Sequence, residues 1–566
     1  MKNSIVTLLV HFSLLLSFPF SAFAHEITTN ATTYEVNDWV EVTYRFTGSN
    51  YNSDCWVGLF APVGIPQMKT IAKEGVVSTQ PFVSTAPIKY ILCSQGGEKQ
   101  NTGKYAFRMN NYRQDVFFAL FDGGLVTPTE VKRSNPIKVK FPNAPMHLRL
   151  SLTRNLGEMM LGWTAKEPTA SFIEYGYNKN DLSSKGEAGY VETYGKEDLC
   201  GPPGNGSGWF EPGFSFYAII PAIVGKENVA KECFYRVGSD ASGWSDVHSF
   251  TQKSPEHLET PSEQVNILVT ADVGATELDG SHYHWEEPNA SSTYRWMHGA
   301  AHADLAVHIG DLAYATGYES KWENFMSQIE PLSSSLPYMV GLGNHERDFA
   351  NTGSIGGNDS GGECGMATRH RFRMPTPDHD SDRFWYSFDI SGLVHMVMID
   401  TEVALGPGSD QYAFLESDLK AVNRTRTPWV VIMGHRPMYF GGNGGYHVYG
   451  GGVLHFAELE ALFIQNNVDL CLWGHVHNLM TTCPVKNGTC VAKGQAPVHV
   501  VIGNGGQSLT PYLPSTDVPE WVEYKMSNFG WNELVVSDYG KKLAVNMYND
   551  EDDSLYHSVE LSKRGE

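Results

Sequence analysis

Hydrophobic and polar positions alternate with a period of two through the first part of the chain, which is typical of β-strands with one buried face. The alternation is clear at residues 40–46 and 137–141, and no long amphipathic helix appears before Asn143. Turn residues separate these runs. We therefore predict an immunoglobulin-like β-sandwich over residues 25–143.

A second block of strand-like runs follows and predicts a fibronectin-III-like sandwich over residues 144–251. Its clearest runs lie at residues 148–152, 172–177 and 234–237. The next stretch, residues 252–264, is polar, contains two prolines and is predicted to be a linker.

From residue 265 to residue 566, strand-like apolar runs alternate with helical patterns, which is typical of an α/β domain. Five of these runs begin at Val265, Leu305, Tyr338, Trp429 and Val468. Each run ends close to a polar residue that can bind a metal ion. Because α/β proteins build their sites at the carboxyl ends of strands, we expect these residues to lie together.

The residues at the strand ends carry only oxygen and imidazole donors, in the strings ADVG, GDLAYA, GNHE, MGH and GHVH. This donor set suits iron, zinc or manganese and disfavours a thiolate site. We expect each glycine to let the backbone turn sharply toward a common crevice. The candidate metal ligands are Asp272, Asp311, Tyr314, Asn344, His435, His475 and His477.

The charges of these side chains indicate two metal ions. Asp272, Asp311 and an ionised Tyr314 bring three negative charges, and the other four candidates bring none. A trivalent ion beside a divalent ion would leave the site positive enough to bind phosphate and hydroxide. Paired cations of this kind lower the pKa of bound water and hold the attacking and leaving oxygens in line.

Together, the five motifs D-x-G, G-D-x-x-Y, G-N-H-[ED], V-x-x-G-H and G-H-x-H resemble the signature of the purple acid phosphatases. These enzymes belong to the calcineurin-like metallophosphoesterase superfamily. The resemblance covers roughly residues 262–545, and the two β blocks before it resemble the N-terminal extensions of the plant-type, high-molecular-weight members. It implies a four-layer αββα catalytic domain, with the tail to Glu566 completing the second sheet.

The resemblance also implies a role for each candidate. Fe(III) would be held by Asp272, Tyr314 and His477, and a divalent ion (Zn, Mn or Fe) by Asn344, His435 and His475, with Asp311 bridging them. The expected reaction is hydrolysis of phosphate monoesters by a metal-bound hydroxide. His345 would contact the phosphate, as would Asn344, and would protonate the leaving group. Glu346 is expected to support the loop.

The chain departs from the family pattern after the fourth motif. Family members often carry a pair of histidines there, whereas residues 440–447 are rich in glycine and contain His447 alone. His447 is either a substrate contact or part of a mobile loop.

The net charge of −22 argues against a nucleic-acid or anionic-membrane partner, because both require a basic surface. It also repels an anionic substrate on average, so the local positive charge of a metal site would be needed. The partners are therefore predicted to be small phosphorylated substrates. Oligomer formation is left open.

The N-terminus predicts secretion to the exterior, the cell wall or a vacuolar or other lumenal compartment. Residues 1–24 have the charge, apolar run and small-residue ending of a signal peptide, and a retained anchor is the alternative. Six glycosylation sequons occur, at Asn30, Asn205, Asn289, Asn358, Asn423 and Asn487.

The cysteines are consistent with an oxidising compartment. Of the eight, Cys483 and Cys490 are expected to pair, and Cys471 is either paired or a buried free thiol. Cys364 is predicted to form an inter-chain or local disulfide.

Two other functions remain open. A phosphodiesterase or nucleotide pyrophosphatase would use the same metals with a wider pocket. An inactive, secreted binding protein would use the tandem β-sandwiches, although no candidate ligand is missing.

Overall fold

The computed structural model describes residues 25–563 apart from short internal gaps. The gaps are residues 48–53, 62–66, 74–75, 83–84, 97–100, 226–227, 284–286, 288, 301, 377–382, 443–444, 449–454 and 513–517. For residues 67–73, 76–82 and 445–448 the backbone alone is described. The predicted signal peptide lies outside the described residues.

The first domain is a β-sandwich, because alternate residues of its strands face one shared core. In Trp39–Arg45, for example, Val40, Val42 and Tyr44 are buried. One sheet has the order Glu26–Thr29, Trp39–Arg45, Thr102–Arg108; the other has the order Thr129–Arg133, Phe117–Asp122, Trp56–Phe60, Lys89–Leu92. Thr33–Tyr34 pairs with Lys138–Val139, Gln67–Lys73 pairs with Val76–Phe82, and a 3-10 turn spans Cys93–Gly96.

The second domain is also a β-sandwich, and its strands follow the predicted runs. One sheet has the order Met146–Leu152, Met159–Ala165, Phe214–Ile220, Tyr190–Glu192. The other has the order Ser184–Glu187, Phe172–Gly176, Ala230–Ser239, Gly243–Trp244, and His248–Lys253 also pairs with Ala230–Ser239. A 3-10 turn spans Lys196–Asp198.

The segment predicted to be a linker has regular structure. The strand His248–Lys253 runs into it, and a short helix follows at Pro255–Glu259. The Ser254 hydroxyl caps this helix by accepting a hydrogen bond from the backbone N–H of His257.

The third domain consists of two sheets packed face to face. The six-stranded sheet has the order Tyr338–Gly341, Leu305–Ile309, Val265–Thr270, Gly530–Ser537, Lys542–Asn549, Leu555–Ser562. The seven-stranded sheet has the order Tyr386–Ile390, Val394–Met398, Trp429–Gly434, Leu470–Trp473, Val498–Ile502, Leu479–Thr482, Val522–Met526. Two small pairs join Tyr439–Gly442 to Gly445–Val448 and Val485–Lys486 to Thr489–Cys490.

Helices complete the predicted αββα layers. Asp410–Ala421 and Phe456–Gln465 cover the outer face of the seven-stranded sheet, where Val430 and Ile432 point, whereas Val431 and Met433 point into the core between the sheets. Ala290–Gly299 and Glu319–Ser333 pack against the six-stranded sheet. Two short helices, Asn344–Arg347 and Met366–Arg371, lie in loops. No helix among the described residues is long and apolar enough to cross a membrane.

Buried polar contacts join the three domains. Lys89 of the first sandwich has its ammonium 2.7 Å from the Asp279 carboxylate, with both side chains fully buried. Arg113 of the same sandwich pairs with Glu323 on the helix Glu319–Ser333. From the second sandwich, Tyr235 donates to the backbone oxygen of Ser334 at 2.6 Å. The sandwiches are therefore fixed against the third domain.

The cysteines confirm one predicted pair and correct another prediction. Cys483 pairs with Cys490 as expected, Cys471 is a buried free thiol, and Cys55 pairs with Cys93. Cys364 was expected to pair between chains or locally, but it pairs with Cys200, 164 residues away in the same chain. This disulfide joins the second sandwich to the third domain.

A buried histidine near the edge of the seven-stranded sheet predicts a pH-dependent stability. The ring nitrogens of His395 lie 2.7 Å from Asp389 and 2.9 Å from Asp418, which belongs to the helix Asp410–Ala421. Burial alone would lower the pKa of His395, but its hydrogen bonds to the two aspartates raise that pKa to about 9. The protonated ring therefore ties the edge strands to the helix.

We expect His395→Gln to lower the melting temperature most at acidic pH. Because folding raises the pKa of His395, protonation of its ring stabilises the folded state. This stabilisation is complete below the pKa of the unfolded state, about 6.5, and is lost as the pH rises through about 9. The substitution should lower the free energy of unfolding by roughly 1–3 kcal/mol near pH 6, and by less near pH 9.5. Melting curves of both proteins across this range would test it, and a difference independent of pH would contradict it.

Candidate metal centre

The candidate ligands lie where strands of the two sheets end. Asp272, Asp311 with Tyr314, and Asn344 follow three neighbouring parallel strands of the six-stranded sheet. His435, and His475 with His477, follow two parallel strands of the seven-stranded sheet. Because the sheets pack face to face, both sets of loops meet at one end of the domain.

One carboxylate belongs to two groups of candidate ligand atoms. Asp311, His435 and His475 offer donor atoms that all lie within 4.8 Å of one another, and so do Asp272, Asp311 and His477. Asp311 is the only member of both groups among the described residues. Its carboxylate therefore lies where the two groups meet.

The two remaining candidates join these groups through their oxygens. The Tyr314 hydroxyl lies 3.2 Å from Asp272 Oδ1 and 2.9 Å from His477 Nε2. The Asn344 amide oxygen lies 2.9 Å from both His435 Nε2 and His475 Nδ1. All seven side chains named from the sequence thus lie close together, in two clusters that share Asp311.

Four of the candidates have a left-handed backbone. The φ angles are 58° at Asp272, 49° at Asp311, 48° at Tyr314 and 68° at His475. Such angles cost of order 1–3 kcal/mol each in residues other than glycine, and they cluster at functional sites. The left-handed backbone at these positions lets the four side chains leave the strand direction and meet the other candidate ligands.

The glycines of the motifs act partly as predicted and partly through their small size. Gly310, with a φ of 78°, supplies a sharp turn. At Gly343 and Gly474 the φ is not positive, but an added Cβ would lie 2.2 Å from Asp311 Oδ1 and 2.8 Å from Asp272 Oδ2, respectively. These two glycines therefore leave room for the carboxylates.

Contacts behind the site hold the ligands in place. Glu346 accepts backbone hydrogen bonds from Asp311 at 2.8 Å, Leu312 at 2.8 Å and Gly343 at 3.0 Å. Glu346 thus joins the second and third motif loops. Two histidines are oriented by backbone oxygens, because His435 Nδ1 lies 3.2 Å from that of Ile309 and His477 Nδ1 lies 2.7 Å from that of Ser508.

The electrostatics of the site favour a bound cation. Burial would raise the pKa of Asp311, but nearby His435 and His345 hold it well below its usual range. Burial would lower the pKa of His435, yet the charges of Asp311 and Asp272 raise it to about 10. A proton on His435 therefore balances the buried carboxylates, and a cation binding there would displace it.

Burial and neighbouring charges shift the pKa values of Tyr314 and His475 in opposite directions. Burial, with the charges of Asp272 and Asp311, raises the pKa of the Tyr314 phenol well above its usual value. The phenol would therefore ionise only beside a strong cation. Burial, with the positive charges of His435 and Arg436, lowers the pKa of His475 well below its usual value, which keeps this ring neutral as a ligand must be. The donor set thus fits two metal ions.

His345 lies beside the ligands and is half-buried. Its backbone N–H donates to Asp311 Oδ1 at 2.9 Å, and its ring centroid lies 4.6 Å from that of Tyr314. Its buried Nδ1 has no hydrogen-bond partner among the described residues. The half-exposed imidazole therefore lies beside the candidate ligands, where a substrate can reach the ring.

The sequence analysis missed a charged group beside His475. Arg436 Nη1 lies 3.2 Å from His475 Nε2, and the same guanidinium donates to Glu402 at 2.8 Å and to Asp348 at 2.9 Å. Asp359 was also missed, and it accepts a hydrogen bond from the Asn344 amide nitrogen at 3.0 Å. Arg436 could have been found from the sequence, because it directly follows the candidate ligand His435. Asp359 lies outside the five motifs, so no sequence pattern pointed to it.

The remaining predicted positions are located as follows. His447 lies in the strand Gly445–Val448, and its side chain is outside the described residues. Asn289 is half-buried at the start of the helix Ala290–Gly299. The other five sequon asparagines are exposed: Asn30, Asn205, Asn358, Asn423 and Asn487.

Three protein-family models match the chain. The model for calcineurin-like phosphoesterases matches residues 265–479, and that for the iron/zinc purple acid phosphatase-like protein C matches residues 496–558. The model for the Fn3-like domain from purple acid phosphatase matches residues 26–143. An Fn3-like description therefore falls on the sandwich predicted to be immunoglobulin-like, and the immunoglobulin-like detail is not confirmed.

Individual proteins show the same similarity. The chain is 32% identical to "Probable inactive purple acid phosphatase 24" of Arabidopsis thaliana, across 90% of this chain and 84% of that protein. It is 32% identical to "Nucleotide pyrophosphatase/phosphodiesterase" of Hordeum vulgare, across 52% of this chain and 83% of that protein.

A solved structure extends this similarity to the fold. The purple acid phosphatase PPD1 isolated from yellow lupin (Lupinus luteus) seeds matches with a TM-score of 0.84 and 29% identity, across 95% of this chain and 96% of that chain. Since both the sequence and the fold match over nearly their whole length, the chain belongs to the purple acid phosphatase family and has its metallophosphoesterase fold.

Proposed function

We propose that the chain is a secreted acid phosphatase that hydrolyses phosphate monoesters at a centre of Fe(III) and a divalent ion (Zn, Mn or Fe). The observation that carries this proposal is the presence of the Asp311 carboxylate in both groups of candidate ligand atoms. In the proposed arrangement, Fe(III) is held by Asp272, Tyr314 and His477, the divalent ion by Asn344, His435 and His475, and both by Asp311.

The two ions, when bound, supply Lewis-acid chemistry, because they withdraw charge from phosphoryl oxygens and lower the pKa of water. His345 is placed to bind the phosphate and to act as the general acid. Its half-exposed imidazole contacts the phosphate and donates a proton to the leaving oxygen. The oxygen of water forms a bond to phosphorus while the ester P–O bond breaks, which yields inorganic phosphate and an alcohol.

The printed name of the Arabidopsis relative describes that protein as inactive. In this chain, all seven candidate ligands are retained and converge, and His345 lies beside them. We therefore expect this chain to bind metal and to be active. An inactive protein with only a binding role would have no need for the strained backbone at four of the ligands.

A second candidate function is hydrolysis of phosphodiesters or nucleotide pyrophosphates. It is favoured by the similarity to the barley protein, which is named for that activity. Both functions require the same seven ligands.

Secretion is supported by features outside the metal centre. Three disulfides join Cys55 to Cys93, Cys200 to Cys364 and Cys483 to Cys490, and such bonds persist in oxidising compartments. Five of the six sequon asparagines are exposed to solvent. We propose that some of them carry glycans.

The decisive experiment compares p-nitrophenyl phosphate with bis-(p-nitrophenyl) phosphate at mildly acidic pH. We expect faster hydrolysis of the monoester by the metal-loaded protein. The control is Asp311→Asn, which should lose metal and activity together because both ions depend on this carboxylate. Faster hydrolysis of the diester would favour the second function, and no hydrolysis by metal-loaded protein would contradict both.

Tyr314→Phe should remove a visible absorption band. Ionised Tyr314 bound to Fe(III) would absorb in the violet-to-green region, whereas phenylalanine has no oxygen to bind the ion. Phenylalanine keeps the buried ring of Tyr314 and lacks only the hydroxyl, so the fold should persist. Visible spectra and melting temperatures of both proteins would test this, and an unchanged band would refute the ferric assignment.

Glu346→Gln should destabilise the ligand loops. Both carboxylate oxygens accept backbone N–H groups, so the amide nitrogen of glutamine would face a donor and leave it unpaired. A buried unpaired donor costs about 1–3 kcal/mol. We expect a lower melting temperature and weaker metal retention, with Glu551→Gln, an exposed change, as the control. Equal melting temperatures for the two variants would be the contrary result.

A further inference from the structure

Asn344 is oriented differently from the histidines of the metal centre. His435 and His477 each turn one ring nitrogen toward a backbone oxygen. The Asn344 amide instead relies on a side chain, because its Nδ2 donates to Asp359 Oδ2 at 3.0 Å. Asp359 is exposed and lies outside every motif of the site.

The contact with Asp359 decides which end of the amide faces the metal centre. An asparagine side chain carries an oxygen acceptor at one end and an –NH2 donor at the other, and half a turn about Cβ–Cγ exchanges them. Only the oxygen can bind a cation. Since a carboxylate accepts but does not donate, Asp359 selects the nitrogen and leaves the oxygen facing His435 and His475, 2.9 Å from each.

The second sandwich braces the loop that carries Asp359. Gly361 and Gly362 accept backbone hydrogen bonds from Gly204 at 3.0 Å and Cys200 at 2.8 Å. The disulfide between Cys200 and Cys364 closes the same contact. The loop is therefore fixed from outside the third domain.

We propose that Asp359 is a positioning residue for the divalent ion, and that the Cys200–Cys364 disulfide of the second sandwich keeps it in place. This inference rests on the proposed two-metal function and adds a residue and a domain to it. It assigns the second sandwich a part in metal binding, through one loop and one hydrogen bond.

The test measures each metal separately in Asp359→Ala. Losing a side chain that orients a ligand typically weakens metal binding about 10–100-fold. We expect a rise of that size in the dissociation constant of the divalent ion, measured by titration against a competing chelator. The tyrosinate absorption of the ferric half should stay unchanged, because Asp359 touches none of its proposed ligands. An unchanged dissociation constant would overturn the proposal.

Asp359→Asn separates orientation from charge. Its amide oxygen can accept the same hydrogen bond, so it should recover most of the affinity lost in Asp359→Ala. If Asp359→Asn bound the divalent ion as weakly as Asp359→Ala, orientation would not be the cause. Both variants keep the sequon at Asn358, since only its middle residue changes. The control for the lost negative charge is Asp246→Asn, an exposed change in the second sandwich, which should bind both ions normally.

The brace is tested by removing the disulfide. Replacing Cys200 and Cys364 together by serine should weaken divalent binding and spare the ferric band, whereas replacing Cys55 and Cys93 should affect neither. Loss of both ions with a lowered melting temperature would indicate general unfolding and would overturn the brace. Metal binding without hydrolysis in the unsubstituted protein would refute the proposed catalytic function and leave these binding results to decide the inference.

Discussion

The main physical constraint on the candidate metal centre is the repulsion between two buried carboxylates that lie close together. Ligand atoms of Asp272 and Asp311 lie within 4.8 Å of each other, and both side chains are fully buried. Two like charges about 4 Å apart repel by roughly 4 kcal/mol at the effective dielectric constant of a protein. That repulsion is comparable to a large part of a domain's net stability, so positive charge must be brought to the pair.

Glycines, a buried glutamate and the backbone conformation around the site hold the carboxylates of Asp272 and Asp311 together. Gly343 and Gly474 leave space beside the carboxylates, and Glu346 binds the backbone of two loops. Left-handed backbone at the ligands adds strain that the packed sheets must offset. The charges of the two carboxylates also raise the pKa of His435 to about 10, so positive charge is favoured beside the pair.

The β-sandwiches reach the site through a helix and a loop. The helix Glu319–Ser333 begins five residues after Tyr314 and receives Arg113 from the first sandwich. Within it, Lys321 donates to the backbone oxygen of Tyr314 at 3.1 Å and pairs with buried Glu287 at 2.6 Å. The loop around Asp359 is bound to the second sandwich. Both halves of the metal centre are thus supported by contacts that cross domain boundaries.

The sequence by itself determined the strands, their faces and the seven candidate ligands, because these features are local. The run Leu305–Ile309 occurs in the fold with the bounds that its apolar pattern predicts, and Asp311 and Tyr314 follow it as expected. Only the tertiary structure decided the pairing of Cys364 with Cys200 and the contacts that Asp359 and Arg436 make with the candidate ligands. The physical reason is distance along the chain, since a pattern of hydrophobic positions records what one segment buries but not which distant segment covers it.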